Sequence, residues 1–245
     1  MARKKNPNPT AETLREIEAS GDYVVEWASE HAALILGVLA SILVLAGGVG
    51  IYVQSGDNAR DEAANALAIA TSQYRRAMGA DPISGPIPEP ANQALGAATR
   101  SEYVERFQQV AVEHDDTAAG ALAWLEAGEL QRELGQLEAA AESFENARSS
   151  ARGTAIDALG SVRLGLLSEV RGEAAAAAGF YESAAGVTEF PLRSGALADA
   201  ARCWAEAGQT DQALAALQRL EAEFPDETIS PPIASLLAEL RARPE

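Results

Sequence analysis

Few side chains in this chain could do chemistry, and one short run contains several of them. Glu113, His114, Asp115 and Asp116 offer an imidazole and carboxylates, which are ligands that zinc and calcium accept. They are consecutive, so they point to different sides of a helix or lie in a loop, and the only other histidine, His31, is far along the chain. The run therefore predicts a solvated helix end and no metal site.

The single cysteine, Cys203, cannot form an internal disulfide, and it falls in a predicted helix as a small buried group. No glycine-rich phosphate loop, no G-x-S-x-G elbow, no H-E-x-x-H and no C-x-x-C is present. These absences predict a protein that is not an enzyme and that binds no cofactor. An enzyme whose site is completed by a partner is the alternative from another class.

The rest of the chain is organised around one long apolar stretch. It comprises residues 32–53, AALILGVLASILVLAGGVGIYV, and has no charged residue. A helix of this length is about 33 Å long, enough to cross the hydrocarbon core of a bilayer. A cleaved signal peptide is disfavoured, since the apolar run is too long and a tail of 31 residues precedes it. The sequence predicts a single N-terminal transmembrane helix.

The basic residues near this helix predict its orientation. Arg3, Lys4, Lys5 and Arg15 precede it, whereas only Arg60 lies in the twenty residues that follow. Because Lys and Arg are enriched on the cytoplasmic side, residues 1–31 are expected in the cytoplasm and residues 54–245 outside.

Small residues recur at every fourth position of the predicted membrane helix, at Ala33, Gly37 and Ser41. This spacing lets a second helix approach closely, so these residues are a candidate contact with a membrane partner.

The formal net charge of −17 argues against nucleic acid as a partner. Phosphate contacts need a basic surface, so direct binding of nucleic acid is not expected, and no feature indicates a small-molecule substrate. Abundant alanine and few aromatic residues favour closely packed helices.

Beyond the membrane helix, apolar residues at helical spacing predict a helix over 57–78 and another from about Ala98 to residue 113. Between them, residues 81–96 are rich in proline and glycine and predict a long loop, which in a domain is often functional or mobile.

From residue 121 the sequence repeats at intervals of 36 or 37 residues, each unit reading helix, glycine turn, helix. The predicted units are about 121–154, 158–191 and 194–227. Residues 230–242 are predicted to form a capping helix. The shared positions are small residues, turn glycines, a large residue and a closing proline: Trp124, Gly128, Gly135, Ala140, Phe144, Ala147, Gly165, Gly172, Ala177, Tyr181, Ala184, Gly208, Ala213 and Pro225.

These positions resemble the tetratricopeptide repeat, and the fold class that follows is all-α, an α-solenoid of stacked helix pairs. By that resemblance, the first helix of the second unit would line a partner groove with Leu159, Val162, Leu166 and Val170. The alternative is that these residues pack in the core.

The whole arrangement resembles one bacterial family, the ancillary subunit of the SecYEG translocon (the YfgM-like proteins). The resemblance rests on the D-x-V-V-E-W lead-in at 22–27, the glycine-rich membrane helix, the helix after it and the segment 103–147. It implies an inner-membrane protein with a periplasmic repeat domain, with SecYEG and a membrane-anchored peptidyl-prolyl isomerase-like chaperone as partners. A scaffold for another envelope complex (outer-membrane assembly, cell division or a respiratory complex) is the alternative.

Overall fold

The computed structural model describes residues 58–226 and 231–242, and within these ranges it contains nine α-helices and no strand. No helix in these ranges is long and apolar enough to cross a membrane. The predicted membrane helix 32–53, with Ala33, Gly37 and Ser41, and the tail 1–31 lie outside the described residues. The helices are α1 (58–77), α2 (Gln93–Glu113), α3 (Ala118–Glu133), α4 (Leu137–Ser150), α5 (Ala155–Val170), α6 (Ala174–Ala185), α7 (Arg193–Glu206), α8 (Thr210–Glu223) and α9 (Pro231–Ala242).

Consecutive helices pack against one another, and the repeat units predicted from sequence correspond to the pairs α3–α4, α5–α6 and α7–α8. An earlier pair, α1 and α2, is held by three rings, with Tyr74 lying 5.3 Å from Tyr103 and 6.4 Å from Phe107 between centroids. The fold is therefore all-α and built of tetratricopeptide-like helix pairs.

The turn inside each repeat depends on a glycine in the left-handed region. Gly135, Gly172 and Gly208 have φ of 75°, 74° and 74°. The amide after each glycine donates to the carbonyl five residues back, as Gln136 N does to Gln131 O. This hydrogen bond satisfies a carbonyl at the end of the first helix and reverses the chain tightly.

Within each repeat, a large side chain of the second helix packs on a small residue of the first helix. A Cβ added at Gly128 would lie 2.5 Å from Cε1 of Phe144, and one added at Gly165 would lie 2.8 Å from Cε1 of Tyr181. Ala201 and Leu217, both buried, occupy the same positions in the third pair. Glycine leaves room for the ring in the first two pairs and alanine leaves room for Leu217 in the third, which explains the small residues at this position of the repeat.

Threonine caps begin two of the first helices earlier than the repeat pattern indicated. The hydroxyl of Thr117 accepts from Gly120 N at 3.0 Å, and that of Thr154 accepts from Ile156 N at 3.2 Å. Since these caps satisfy free amides of the first turn, α3 and α5 begin three residues before the predicted unit starts of 121 and 158.

The predicted loop 81–96 was too long at its end. Asn92 caps α2, its side chain accepting from Leu95 N at 3.2 Å, so the helix begins at Gln93 and not near Ala98. The Pro-rich segment that remains between α1 and α2 is called the 81–92 loop below.

The chain beyond the third pair forms one more helix. Pro225 lies in the turn just after α8, and α9 places Ile233 and Leu240 in the same apolar cluster as Leu220. This helix covers the end of the third repeat at the position where a capping helix was predicted.

Candidate protein-binding face

The first helices of the three repeats, α3, α5 and α7, lie side by side and form one continuous face. Ion pairs between neighbouring first helices identify this face. Arg163 Nε on α5 lies 3.9 Å from Glu129 Oε2 on α3, and Arg202 Nη1 on α7 lies 2.8 Å from Glu169 Oε2 on α5. Because each pair joins neighbouring first helices, the positions around them lie side by side. The first-helix face is defined here as Leu122, Glu126, Glu129, Leu159, Val162, Arg163, Leu166, Glu169, Val170 and Arg202.

The four predicted groove residues on α5 divide into two groups. Leu166 is 40 % exposed and Val170 is 69 % exposed, and they lie one helical turn apart. Leu159 and Val162 are half-buried: the former packs against the cluster of α3 to α5 and the latter against the cluster of α5 to α9. Of the predicted groove residues, Leu166 and Val170 in the C-terminal half of α5 are therefore exposed to a partner. Leu159 and Val162 in its N-terminal half contribute to packing between helices.

Carboxylates line the part of the face that α3 contributes. Glu126 reaches solvent, but burial by surrounding atoms raises its pKa, and the charges of Glu129 and Glu133 add to this effect. Burial also opposes ionisation of Glu129, yet a hydrogen bond from Arg132 and the charge of Arg163 bring its pKa below the usual value. Glu129 thus has arginine partners in direct contact, whereas Glu126 has no ion pair with any described residue and only the charge of Arg163 favours its ionised form.

A cavity of about 1110 Å³ opens beside the start of α3. Its walls come from α1, the 81–92 loop and the first turns of α3, and they include the apolar side chains of Leu67, Ile69, Ile83 and Leu122. Since Leu122 also belongs to the first-helix face, the cavity continues that face toward α1.

The 81–92 loop is held in place by hydrogen bonds. Arg75 on α1 donates to the carbonyl oxygens of Asp81, Ser84 and Gly85 at 2.8, 2.6 and 2.6 Å. Amides of Ile83 and Ser84 donate to the Asp81 carboxylate and lower its pKa. These bonds present Ile83, which is 88 % exposed, at the wall of the cavity.

A second anchor fixes the far end of this loop. Arg100 on α2 is nearly buried and pairs with Glu89 in the loop at 2.5 Å and with Glu133 at the end of α3 at 2.6 Å. The loop that the sequence marked as either functional or mobile is therefore attached to both α1 and α2.

One cluster on α5 and α7 offers three potential metal ligands. Oxygens of Glu169 and Glu206 and the thiol of Cys203 lie within 4.8 Å of one another. The guanidinium of Arg202 already pairs with both carboxylates, and burial raises the pKa of the fully buried Cys203 thiol to about 12. This donor set suits the arginine and not a metal ion.

The run Glu113 to Asp116 does not form such a cluster among the residues with assigned positions. His114 ends α2, its amide donating to Val110 O, and its carbonyl accepts from the hydroxyl of Thr117. The run is a helix end that connects to the next cap, as the sequence indicated.

Sequence reasoning missed the pairs between repeats. Arg100–Glu133, Arg171–Glu138 and Arg202–Glu169 each join residues 33 apart, close to the repeat length. This recurrent spacing of arginine and glutamate was the signal that could have revealed them.

Comparison with known proteins agrees with the helix pairs. A model of the tetratricopeptide repeat matches residues 171–240, from the turn before α6 into α9. No curated protein matches the chain. Stacked repeats of this type bind protein partners in general, so they indicate a role in protein–protein interaction. The chain is a protein that contains tetratricopeptide repeats.

Proposed function

We propose that this protein is a membrane-anchored interaction subunit that binds a partner protein along the first-helix face. The observation that carries the proposal is the exposure of Leu166 and Val170, one turn apart on the face that the inter-repeat ion pairs align. Exposed apolar side chains in such a position suit an apolar segment of a partner.

We further propose that the partner is the Sec translocon, with the repeat domain in the periplasm beside a membrane-anchored peptidyl-prolyl isomerase-like chaperone. Support comes from the apolar stretch 32–53, the basic residues before it and the resemblance of the lead-in 22–27. In this role the protein takes part in handing translocated proteins to periplasmic chaperones.

A scaffold subunit of another envelope complex is the second candidate. The resemblance does not account for the Pro-rich segment 81–96, and the 81–92 loop within it is attached by Arg75 and by Arg100. A fixed loop beside an apolar cavity offers a further contact surface for such a complex.

The test is a pull-down of the tagged full-length chain from native membranes in mild detergent, with mass spectrometry of what is recovered. Val170→Asp is compared with Val112→Asp, because Val112 is similarly exposed at 64 % but lies on the second helix α2. Circular dichroism checks that both variants fold. We expect translocon subunits with the wild type and with Val112→Asp, and their loss with Val170→Asp.

Recovery of a different envelope complex, without translocon subunits, would refute the translocon proposal and support the second candidate, a scaffold subunit of that complex. Unchanged recovery with Val170→Asp would show that the first-helix face is not the binding surface. A triple change of Ala33, Gly37 and Ser41 to isoleucine then tests a contact through the predicted membrane helix.

A further inference from the structure

We infer that the segment bound on the first-helix face combines apolar side chains with lysine or arginine side chains. This inference rests on the proposed function and assigns a chemical class to the partner.

The face has two kinds of surface that lie directly beside each other. On α3, Glu126 and Glu129 follow Leu122 at helical spacing, so carboxylates cover the middle of that helix. On α5, Leu166 and Val170 are exposed. The 3.9 Å contact from Arg163 to Glu129 shows that the two helices present these surfaces side by side. A segment lying across both would meet an acidic strip and an apolar strip together.

One carboxylate of the acidic strip, that of Glu126, has no direct ion pair within the described part of the chain. Glu129 has Arg132 and Arg163 as partners, and Glu133 has Arg100. Glu126 forms no ion pair with any residue in the described ranges; burial and the charge of Glu129 raise its pKa, and only the charge of Arg163, which is not in contact with it, acts in the other direction. A cationic side chain from the partner would supply a direct ion pair for Glu126.

Charge on the rest of the chain points the same way. The formal net charge is −17, and the only lysines are Lys4 and Lys5. An acidic segment would be repelled over long range and would place its carboxylates against Glu126. A wholly apolar segment would fit Leu166 and Val170 but would remove water from Glu126 without giving it an ion pair. A segment that is both apolar and basic satisfies both strips.

The experiment uses the full-length chain in a neutral detergent and three fluorescent peptides of equal length and equal leucine spacing. Their remaining positions are lysine, glutamine or glutamate, and detergent alone is the blank. Affinity is measured by anisotropy at low and high salt. We expect the lysine peptide to bind about tenfold more tightly than the glutamate peptide, with a difference that narrows as salt is added.

Two variants locate the effect. Glu126→Gln should weaken the lysine peptide about fivefold and leave the glutamine peptide unchanged. Glu142→Gln removes the same charge from an exposed position on the second helix α4 and should change neither.

Equal affinity of the three peptides, or equal weakening by the two variants, would overturn the inference. If the glutamine peptide binds as well as the lysine peptide and Val170→Asp abolishes both, the face remains the binding surface and only the basic character of the partner is refuted. If no peptide binds and Val170→Asp leaves the pull-down unchanged, the proposed function fails together with the inference.

Discussion

The ring of Phe144 lies against the backbone of Gly128, so closely that a Cβ at residue 128 would come within 2.5 Å of Cε1. The contact joins the two helices of the first repeat, α3 and α4. It fixes the distance between α3 and α4, because Phe144 is fully buried and has no room to move aside.

Gly128→Ala should destabilise the domain by about 1–3 kcal/mol, since overpacking outweighs the better helix propensity of alanine. Gly179→Ala is the matched control, because Gly179 is also within a helix but an added Cβ meets nothing within 4 Å. The control should stabilise by roughly 0.5–1 kcal/mol. Urea unfolding followed by circular dichroism measures both. Adding Phe144→Leu to Gly128→Ala should recover part of the loss, and strict additivity would contradict the contact.

Glu169→Gln should lower stability at neutral pH by about 1 kcal/mol. A hydrogen bond from Arg202 holds the pKa of Glu169 below its usual value of 4.5, so the ionised carboxylate stabilises the folded state. This contribution is present above the unfolded pKa and is lost as pH falls through the folded one. Thermal unfolding at several pH values should therefore show the two proteins converging in acid.

The control for that measurement is Glu138→Gln. Glu138 also pairs with an arginine 33 residues away, Arg171 at 3.4 Å, but its side chain is 91 % exposed. An exposed pair contributes little, so this change should have no measurable effect on the melting temperature. A difference between wild type and Glu169→Gln that persists unchanged in acid would refute the assignment.

Glu126→Gln should have the opposite effect and raise the melting temperature at pH 7.5. Burial raises the pKa of this carboxyl, so its ionised form opposes folding above the folded pKa. The gain should shrink as pH falls toward the unfolded pKa, where both states bind the proton. Glu142→Gln serves as the control with no change. A lower melting temperature for Glu126→Gln would mean that the carboxylate has a stabilising partner.

Arg75→Ala should release the 81–92 loop without unfolding the domain. The arginine donates three hydrogen bonds to loop carbonyls, and its loss should speed amide exchange at Ile83 and Ser84 about tenfold. Arg76→Ala is the matched control, because the neighbouring Arg76 is exposed on the same helix. Hydrogen–deuterium exchange with mass spectrometry distinguishes the two, and equal exchange in both variants would contradict the role of Arg75.

The repeat period was visible in the sequence because it rests on residues whose size or backbone freedom is essential. Gly135, Gly172 and Gly208 occupy a conformation that other residues adopt at a cost, and Gly128 and Gly165 leave space for a ring. Such positions tolerate few residue types, so they stand out at regular spacing.

The starts of the helices and the electrostatics of the face could not be read in the same way. The caps of Thr117 and Asn92 depend on which local hydrogen bond prevails. Whether Glu126 or Glu129 gains an ion pair depends on where Arg132 and Arg163 place their guanidinium groups after the helices pack. Sequence spacing predicts on which face of a helix a residue lies. It does not predict which side chains of another repeat form ion pairs with that residue.

The apolar core is divided into three clusters, one over α1 to α3, one over α3 to α5 and one from α5 to α9. Each cluster is buried mainly by helices that are neighbours along the chain, so each can separate while the next one holds. Under mechanical tension between the two ends of the domain, such a structure yields in steps and does not fail all at once. Extension with optical tweezers should show several small force drops, and a domain loaded by a bound partner could lengthen and recover without complete unfolding.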